Sequence, residues 1–555
     1  MTMDTSSNIA RYLTRMARQT PDVDAILVPR GDVADRAQYD RLTFAELDRA
    51  SDEVAAGLTA LGLGRGVRSV LLVPPSLELF ILVFAMFKAG AVPILIDPGI
   101  GTKSLRDCIG RAEPVGFIGI PKAHVARLVL GLGRATVTQL VTVGRRLLWG
   151  GTTLAEVRRR GVAALAAGFQ AVQPAPDELA AVLFTSGSTG VPKGAAYTHG
   201  NFDAQVEEIR RMFGIRSGEI DLPTFPLFAL FDPALGMTSV IPRMDSTKPA
   251  KVNPENIIRA VRAFGATTMF GSPALLNTVG RYGAATGAKM PTLRRIMAAG
   301  APLPAHVMRN MLGMLEPGAE IFPPYGATES LPVAVLSSTE ILGETWAQTE
   351  RGAGVCVGRP VASIEVRVIR IDDAPIESFS PELLLAQGQI GELAVRGPQV
   401  TLAYDHDAAN TRLGKIRDPD GSIWHRMGDV GYFDASGRLW FCGRKAHRIV
   451  LPDVTLFSVP VEGIFDTHPK VYRTALVGVT VSGRMEPLLC VELKPEHTGA
   501  MQVELVAELL SLGAGFEISQ RVRRIMFHPA FPVDIRHNAK IGREKLAVWA
   551  QGRLV

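Results

Sequence analysis

The sequence predicts an α/β protein: a large N-terminal domain (1–445) of two α/β layers with a β-rich subdomain at about 361–443, then a hinge and a small mobile α+β domain (446–555). Three observations carry this. Apolar runs of strand length alternate with helical stretches twice over, through 69–120 and again through 254–315, a pattern that folds into parallel sheets covered by helices. From Val361 that alternation gives way to period-two patterning. Gly443-Arg444-Lys445-Ala446-His447-Arg448 is a cationic, glycine-started link with little apolar content, which suits a boundary.

Taken in order, the run from Leu42 has apolar positions at helical spacing, with Thr43 as N-cap and Glu46 three residues on. Strand-like Ser69 to Val73, helix Leu77 to Ala89, strand-like Ala91 to Ile96 and Val115 to Ile120 build the first layer. Gly62, Gly64 and Gly66 precede a strand, whereas a dinucleotide loop must follow one. Arg145 to Trp149 (RRLLW) reads as a surface helix turn, with contact to a membrane or a partner as the alternative. An Ala- and Arg-rich helix connects 150–176. Asn201 to Phe213 is helical. Leu222 to Gly236 (LPTFPLFALFDPALG) is too Pro-interrupted for a long helix or strand, and serves as a pocket wall or as an ordinary core loop. Helix Pro254 to Phe264, strand Thr267 to Phe270, strand Leu293 to Ala298 and helix Pro304 to Leu315 give the second layer. Alternation in Ile364 to Ile369, Gly391 to Val395 and a turn-laden Ile423 to Gly443 follow; then strands Thr474 to Val481 and Leu488 to Leu493 and helix Met501 to Leu512.

Bulk properties narrow the class. A hydrophobic fraction of 47% with 21% charged residues is globular composition. The net charge of +6 over 555 residues is too thin to argue for nucleic acid. Cys108, Cys356, Cys442 and Cys490 stand far apart, without zinc spacing or disulfide density, as in a reducing cytoplasm. The N-terminus lacks a continuous apolar core of a signal peptide, and Leu77 to Ala89 is too short and too interrupted for a transmembrane segment.

The motif richest in chemistry is Leu183 to Gly194. An apolar lead opens into Thr185, Ser186, Gly187, Ser188, Thr189 and Gly190, closed by Lys193, the composition of a phosphate cradle. Glycines let backbone N–H groups converge on an anion, hydroxyls add donors and a lysine adds charge; a solvated Ser/Gly turn is the plain alternative. Pro192 stands where a Walker A loop needs glycine. Two glycine-bearing segments fall at strand ends, where open α/β sheets bind ligands: Gly300-Ala301-Pro302 and Tyr325-Gly326-Ala327-Thr328-Glu329. A carboxylate beside a phosphate loop is most economically a Mg²⁺ ligand, and Glu329 is that carboxylate unless it is simply exposed. Asp429, between Gly428 and Val430-Gly431, either caps a turn or accepts ribose hydroxyls. Lys540 lies in a terminal basic run that is otherwise a solvated tail.

Together and in this order, the phosphate loop, YGATE, GDVGYFD, GRKAHR and the terminal lysine run resemble the adenylate-forming superfamily of acyl-CoA synthetases, luciferases and peptide-synthetase adenylation domains. The resemblance implies ATP and Mg²⁺ as cofactors. It implies that Thr185 to Gly190 with Lys193 hold the β- and γ-phosphates, that Gly300, Ala301 and Pro302 with Tyr325 and Gly326 frame adenine, and that Thr328 meets the α-phosphate. Glu329 would hold the metal, Asp429 and Arg444 the ribose, and Lys540 would bridge the substrate carboxylate and α-phosphate; Lys540, Thr328 and Glu329 are thus the catalytic candidates. Phe228, Ala229 and Phe231 would line the acyl pocket. Ala446 and His447 in the link, Ala229 in the wall and Ala539 before the lysine depart from common members and bring CoA ligation into question. The wall and the tail look most like the OleC type, the β-lactone synthetases of bacterial long-chain olefin biosynthesis. That implies a 2-alkyl-3-hydroxy fatty acid as substrate, partner enzymes of the same pathway, and displacement of AMP by the substrate's own hydroxyl. The sequence assigns no acceptor for that hydroxyl's proton: His447 and His537 are the candidates, and each reads more simply as a surface or structural histidine. The rival expectations are a fatty acyl-CoA ligase and an idle nucleotide-binding scaffold in a multienzyme assembly.

Overall fold

The computed structural model describes residues 7–30, 38–97, 100–184, 192–497, 502–533 and 540–554. Local rules set its helices. Thr43 Oγ1 accepts the Glu46 N–H at 3.2 Å while Glu46 Oε2 accepts the Thr43 N–H at 2.9 Å, the expected capping box of helix Phe44–Ala60. The same device starts helix Leu154–Ala166 at Thr153 and helix His199–Phe213 at Thr198. Helix Leu77–Ala89 is buried on every side from Leu79 onward and stops on Gly90, whose φ of 69° favours glycine. Its one cation, Lys88, is buried and satisfied by Asp48 Oδ1 at 2.6 Å and Asp52 Oδ1 at 2.7 Å.

Among the described residues the first sheet has seven strands, in the order Thr152–Thr153, Gln139–Thr142, Gly116–Gly119, Arg68–Leu72, Val92–Leu95, Leu179–Phe184 and Gly194–Thr198. All pairs are parallel except the last. The second sheet also has seven: Glu320–Phe322, Arg295–Ala298, Thr268–Gly271, Ile220–Pro223, Thr238–Val240, Asp24–Pro29 and Tyr39–Thr43, again antiparallel only at the last pair. These are the two expected α/β layers, and strand-length apolar runs buried on both faces produced them. No described helix is long and apolar enough to cross a membrane.

The third, antiparallel sheet corrects the expectation in two places. It begins at Tyr325–Ala327 and Ser330–Val335, upstream of 361, because the short hairpin around Thr328 and Glu329 carries too few strand formers to register as one. The stretch expected to be turn-laden is two strands, Ile423–Phe433 and Leu439–Arg444. Gly431 is needed there for close approach rather than for a turn: a Cβ on it would lie 2.2 Å from the Trp440 carbonyl, and the register shifts between Val430 and Gly431. Arg145 to Trp149 forms an extended loop and turn, not a helix turn. The wall segment resolves into two one-turn helices, Pro226–Ala229 and Asp232–Leu235.

Beyond the link, strands Val471–Val481, Arg484–Leu493 and Arg524–Phe527 make a separate sheet flanked by helices Ser458–Phe465, Gln502–Ala514 and Arg543–Gln551. Its cores, around Phe465 and Leu489 on one face and Cys490 and Leu546 on the other, draw only on residues after 448. The terminal run is not a solvated tail throughout. Arg543 is half-buried and binds Glu462 through Nε at 3.0 Å and Nη2 at 2.5 Å.

Candidate active site

Three sheets deliver the candidate residues to one place. The strand Leu179–Phe184 leads into Thr185 to Gly190, which lie outside the described residues, and the chain returns at Lys193 as strand Gly194–Thr198. That return strand pairs with 403–405: the Ala196 N–H donates to the Ala403 carbonyl, and the Asp405 N–H to the Gly194 carbonyl at 2.7 Å. Tyr404 is thereby set beside Lys193, whose Nζ stands 5.2 Å from its ring centre. Tyr404 then reaches across. Its hydroxyl donates to Glu329 Oε1 at 2.7 Å.

Thr328 and Glu329 occupy the tip of the Tyr325–Ala327/Ser330–Val335 hairpin. Backbone bonds fix this tip: Thr401 N–H donates to the Glu329 carbonyl at 2.9 Å, and the Tyr197 hydroxyl to the Thr328 carbonyl at 2.5 Å. Gly326 allows the hairpin to close, since a Cβ there would meet the Ser330 carbonyl at 2.7 Å. Parallel strands Arg295–Ala298 and Glu320–Phe322 hold Met297 and Phe322 in register, so 299–302 and 323–326 leave the same sheet edge side by side. Gly300 turns there with φ 105°.

Asp429 sits mid-strand, directly opposite Arg444 on the neighbouring strand, which removes the turn-cap reading. Arg444 Nη1 lies 3.0 Å from Asp429 Oδ1, and the Tyr325 hydroxyl donates to Oδ2 at 2.7 Å. Burial pushes the Asp429 carboxyl up from its ordinary range; Arg444, Tyr325 and the charge of Lys540 pull it back. Lys540, from the far end of the chain, therefore stands within electrostatic range of Asp429. The Tyr325 phenol is held far above its usual value by burial and by that same carboxylate.

Two groups of this site have no signal in the sequence. Tyr404 lies in an aperiodic loop, and Lys415 in the three-residue strand Lys415–Arg417. Lys415 is buried, donates to the Thr401 carbonyl, and lies 5.9 Å from the Tyr404 ring centre. Desolvation pushes its ammonium down to about 7, against the attraction of Glu329. Glu329 thus lies within electrostatic range of Lys415 and Arg444, and Tyr404, which binds it, carries Lys193 beside its ring.

In the wall segment, Phe228 stacks on Phe270 with ring centres 3.9 Å apart, Phe231 packs 6.2 Å from Phe202, and Ala229 is fully buried in the main core. Beneath this wall Asp232, at the start of the second short helix, meets Asp221 of strand Ile220–Pro223; both are buried, and Asp232 Oδ2 and Asp221 Oδ1 have no donor. Burial pushes both carboxyls up; the charge of Asp221 raises Asp232 further, while the hydrogen bond from Asp232 and the charge of Arg295 pull Asp221 back. A folded-state value above the unfolded one means the fold binds the proton more tightly, so stability falls as pH climbs from the unfolded value toward the folded one. Asp232→Asn, which cannot ionise, is expected to be near wild-type at pH 5 and more stable than wild-type by about 1 kcal/mol or more at pH 8, measured by denaturant unfolding at both values. A stability difference that does not change with pH would contradict the raised carboxyl of Asp232.

His447 Nε2 lies 3.0 Å from Glu544 Oε1 of the C-terminal helix, and burial lowers its pKa; His537 and Ala539 lie outside the described residues.

The family model described as AMP-binding enzyme matches residues 13–405, the span that carries the Ser/Gly-rich segment 185–190, the Glu329 hairpin and Tyr404. The chain belongs to the AMP-binding enzyme family. Within this family of adenylate-forming enzymes it is 51% identical over 554 residues to the olefin beta-lactone synthetase of Xanthomonas campestris pv. campestris, covering 99% of this chain and 98% of that one. It is 50% identical over 565 residues to the olefin beta-lactone synthetase of Stenotrophomonas maltophilia, covering 100% and 99%. Among solved structures, the amide bond synthetase McbA from Marinactinospora thermotolerans superposes with a TM-score of 0.77 at 23% identity, covering 98% of this chain and 99% of that one. The anthranilate CoA ligase AuaEII, solved with anthranoyl-AMP, gives 0.76 at 20%, covering 99% and 98%. These two likenesses establish the fold of an AMP-binding enzyme across both the large and the C-terminal parts.

Proposed function

We propose that this AMP-binding enzyme converts a long-chain 2-alkyl-3-hydroxy acid to its β-lactone at the expense of ATP. The observation that carries this reading is end-to-end identity of about half to two olefin beta-lactone synthetases. In the first step a carboxylate oxygen attacks the α-phosphorus and pyrophosphate leaves. In the second the 3-hydroxyl oxygen attacks the acyl carbon, the bond from that carbon to the AMP oxygen breaks, and the hydroxyl proton passes to solvent. Like charges meet in the first step, so positioning and cationic stabilisation dominate it.

The site supports a division of labour. Lys193, with Thr185 to Gly190, grips the departing pyrophosphate; Asp429 and Arg444 take the ribose; Gly300, Ala301, Pro302 and Tyr325 frame adenine. Thr328 meets the α-phosphate and Lys540 the reacting carboxylate. Glu329 would hold Mg²⁺, whose charge offsets that of the phosphates. The donor set fits, because magnesium is usually held by one or two carboxylates plus substrate phosphates, and no group of three or more His, Cys, Asp or Glu among the described residues could hold a metal without the nucleotide. Residues 446–555 move as a unit about the link to bring Lys540 in for adenylation and withdraw it afterwards. Four buried free cysteines suit a reducing cytoplasm.

The test is turnover without CoA. With ATP, Mg²⁺ and a 2-alkyl-3-hydroxy acid, AMP is expected to accumulate over many turnovers, whereas the matched acid lacking the 3-hydroxyl stalls after about one adenylate per enzyme. Strict dependence on CoA, with a thioester as product, would sink the reading.

A further inference from the structure

Charge in this chain is unevenly placed. Residues 114–155 hold Lys122, Arg127, Arg134, Arg145 and Arg146 and neither Asp nor Glu, against a net charge of only +6 for all 555 residues. The same stretch exposes six large aliphatic side chains, five of them in two groups, which a folded surface does not gather without cause. Val125, Leu128 (57% exposed) and Val129 (77%) share one face of helix Pro121–Leu130 with exposed Lys122, and span about one turn, roughly 6 Å. Leu147 is half exposed and Leu148 wholly so.

The two sets are joined by a built pedestal. His124 of the helix stacks on Trp149 with ring centres 5.1 Å apart and planes 10° apart, and the Trp149 indole donates to Thr142 Oγ1 at 3.0 Å. This seats Trp149 and leaves Leu147 and Leu148, next to it, directed outward. Arg146 is occupied by the Gly151 carbonyl and lies 3.7 Å from Glu156, whereas Lys122, Arg134 and Arg145 have no ion pair among the described residues. The strand feeding this loop, Gln139–Thr142, lies beside the Thr152–Thr153 edge of its sheet, at the opposite side from the phosphate-loop strands, so a flat surface covering the face leaves the nucleotide site open.

We propose that this face docks the protein peripherally on an anionic lipid bilayer, with Leu147, Leu148 and the Val125/Leu128/Val129 face entering the headgroup region and Lys122, Arg134 and Arg145 against lipid phosphates. Aliphatic tips with Lys122 on the same helix face and Arg145 beside them in the loop, in a stretch of sequence without Asp or Glu, match acyl chains beneath anionic headgroups. A protein partner would be better served by a concave patch with aromatic anchors. With no described helix able to span a bilayer, the attachment is to the surface.

The experiment is cosedimentation of the full-length protein with phosphatidylcholine vesicles, with and without phosphatidylglycerol, at low and high salt. Wild-type is expected to bind the phosphatidylglycerol vesicles and to lose most of that binding in high salt. Two double variants, Leu147→Asp/Leu148→Asp and Arg134→Glu/Arg145→Glu, are each expected to bind at least about tenfold more weakly. Both should keep pyrophosphate release with a water-soluble acid within about twofold, as expected for surface substitutions remote from the site. No vesicle binding by wild-type, equal binding to both vesicle types, or wild-type binding by either double variant would overturn the proposal. So would a wild-type dimer that both variants dissociate, since the face would then belong to a second copy of this chain.

Discussion

Lys540→Ala is expected to slow acid-dependent pyrophosphate release by about 10²–10³-fold, the loss typical of removing one preorganised group from a site of developing charge. Lys540 sits on the C-terminal part yet its charge is felt at Asp429, so the structure already has it near the nucleotide side. The effect should fall on the rate and spare ATP binding, because Lys193, Arg444 and Asp429 all lie on the large part of the chain. Equilibrium ATP binding within about threefold of wild-type, measured beside the rate, separates a lost catalytic cation from a misfolded module. Lactone closure from a supplied acyl-adenylate should survive. Unchanged pyrophosphate release would remove Lys540 from the mechanism.

Asp429→Asn is the second large expectation, of the opposite kind. Asp429 is buried, paired with Arg444 at 3.0 Å and bonded by Tyr325 at 2.7 Å, so its carboxylate is held in one orientation. Hydrogen bonds to a charged group contribute about 1.5–3 kcal/mol, which converts to a KM for ATP raised by about 10–150-fold. The maximal rate should fall much less, since the ribose does not react. Tyr325→Phe removes only the orienting bond and should raise KM by about tenfold or less. A loss in maximal rate with KM unchanged would argue that the Asp429–Arg444 pair acts on the reaction and not on the ribose.

How much of this was legible beforehand depends on the range of the interaction. The capping box at Thr43, the buried helix Leu77–Ala89 and the strand lead into residues 185–190 are local, and the residues within a turn or two wrote them. Asp429 was visible as a residue but not as a conformation: glycines around it suggested a turn, and only cross-strand packing against Trp440 shows why a strand needs Gly431 there. Tyr404, Lys415 and the Asp221–Asp232 pair were invisible because each gains its meaning from a partner far away in sequence. Glu329 is 75 residues from Tyr404, and nothing near either position announces the bond. The pedestal of His124 and Trp149 is of the same type, a 25-residue loop closed by one ring stack.

The central claim is that the substrate's own hydroxyl displaces AMP. It is tested most directly by following oxygen from a 2-alkyl-3-hydroxy acid labelled with ¹⁸O at the 3-hydroxyl, incubated with ATP and Mg²⁺, by mass spectrometry of the organic product and of AMP. Intramolecular closure predicts a β-lactone that keeps the label as its ring oxygen, and AMP that carries none of it. Labelled open-chain acid or thioester as the sole product, with no lactone at any time point, would contradict the account.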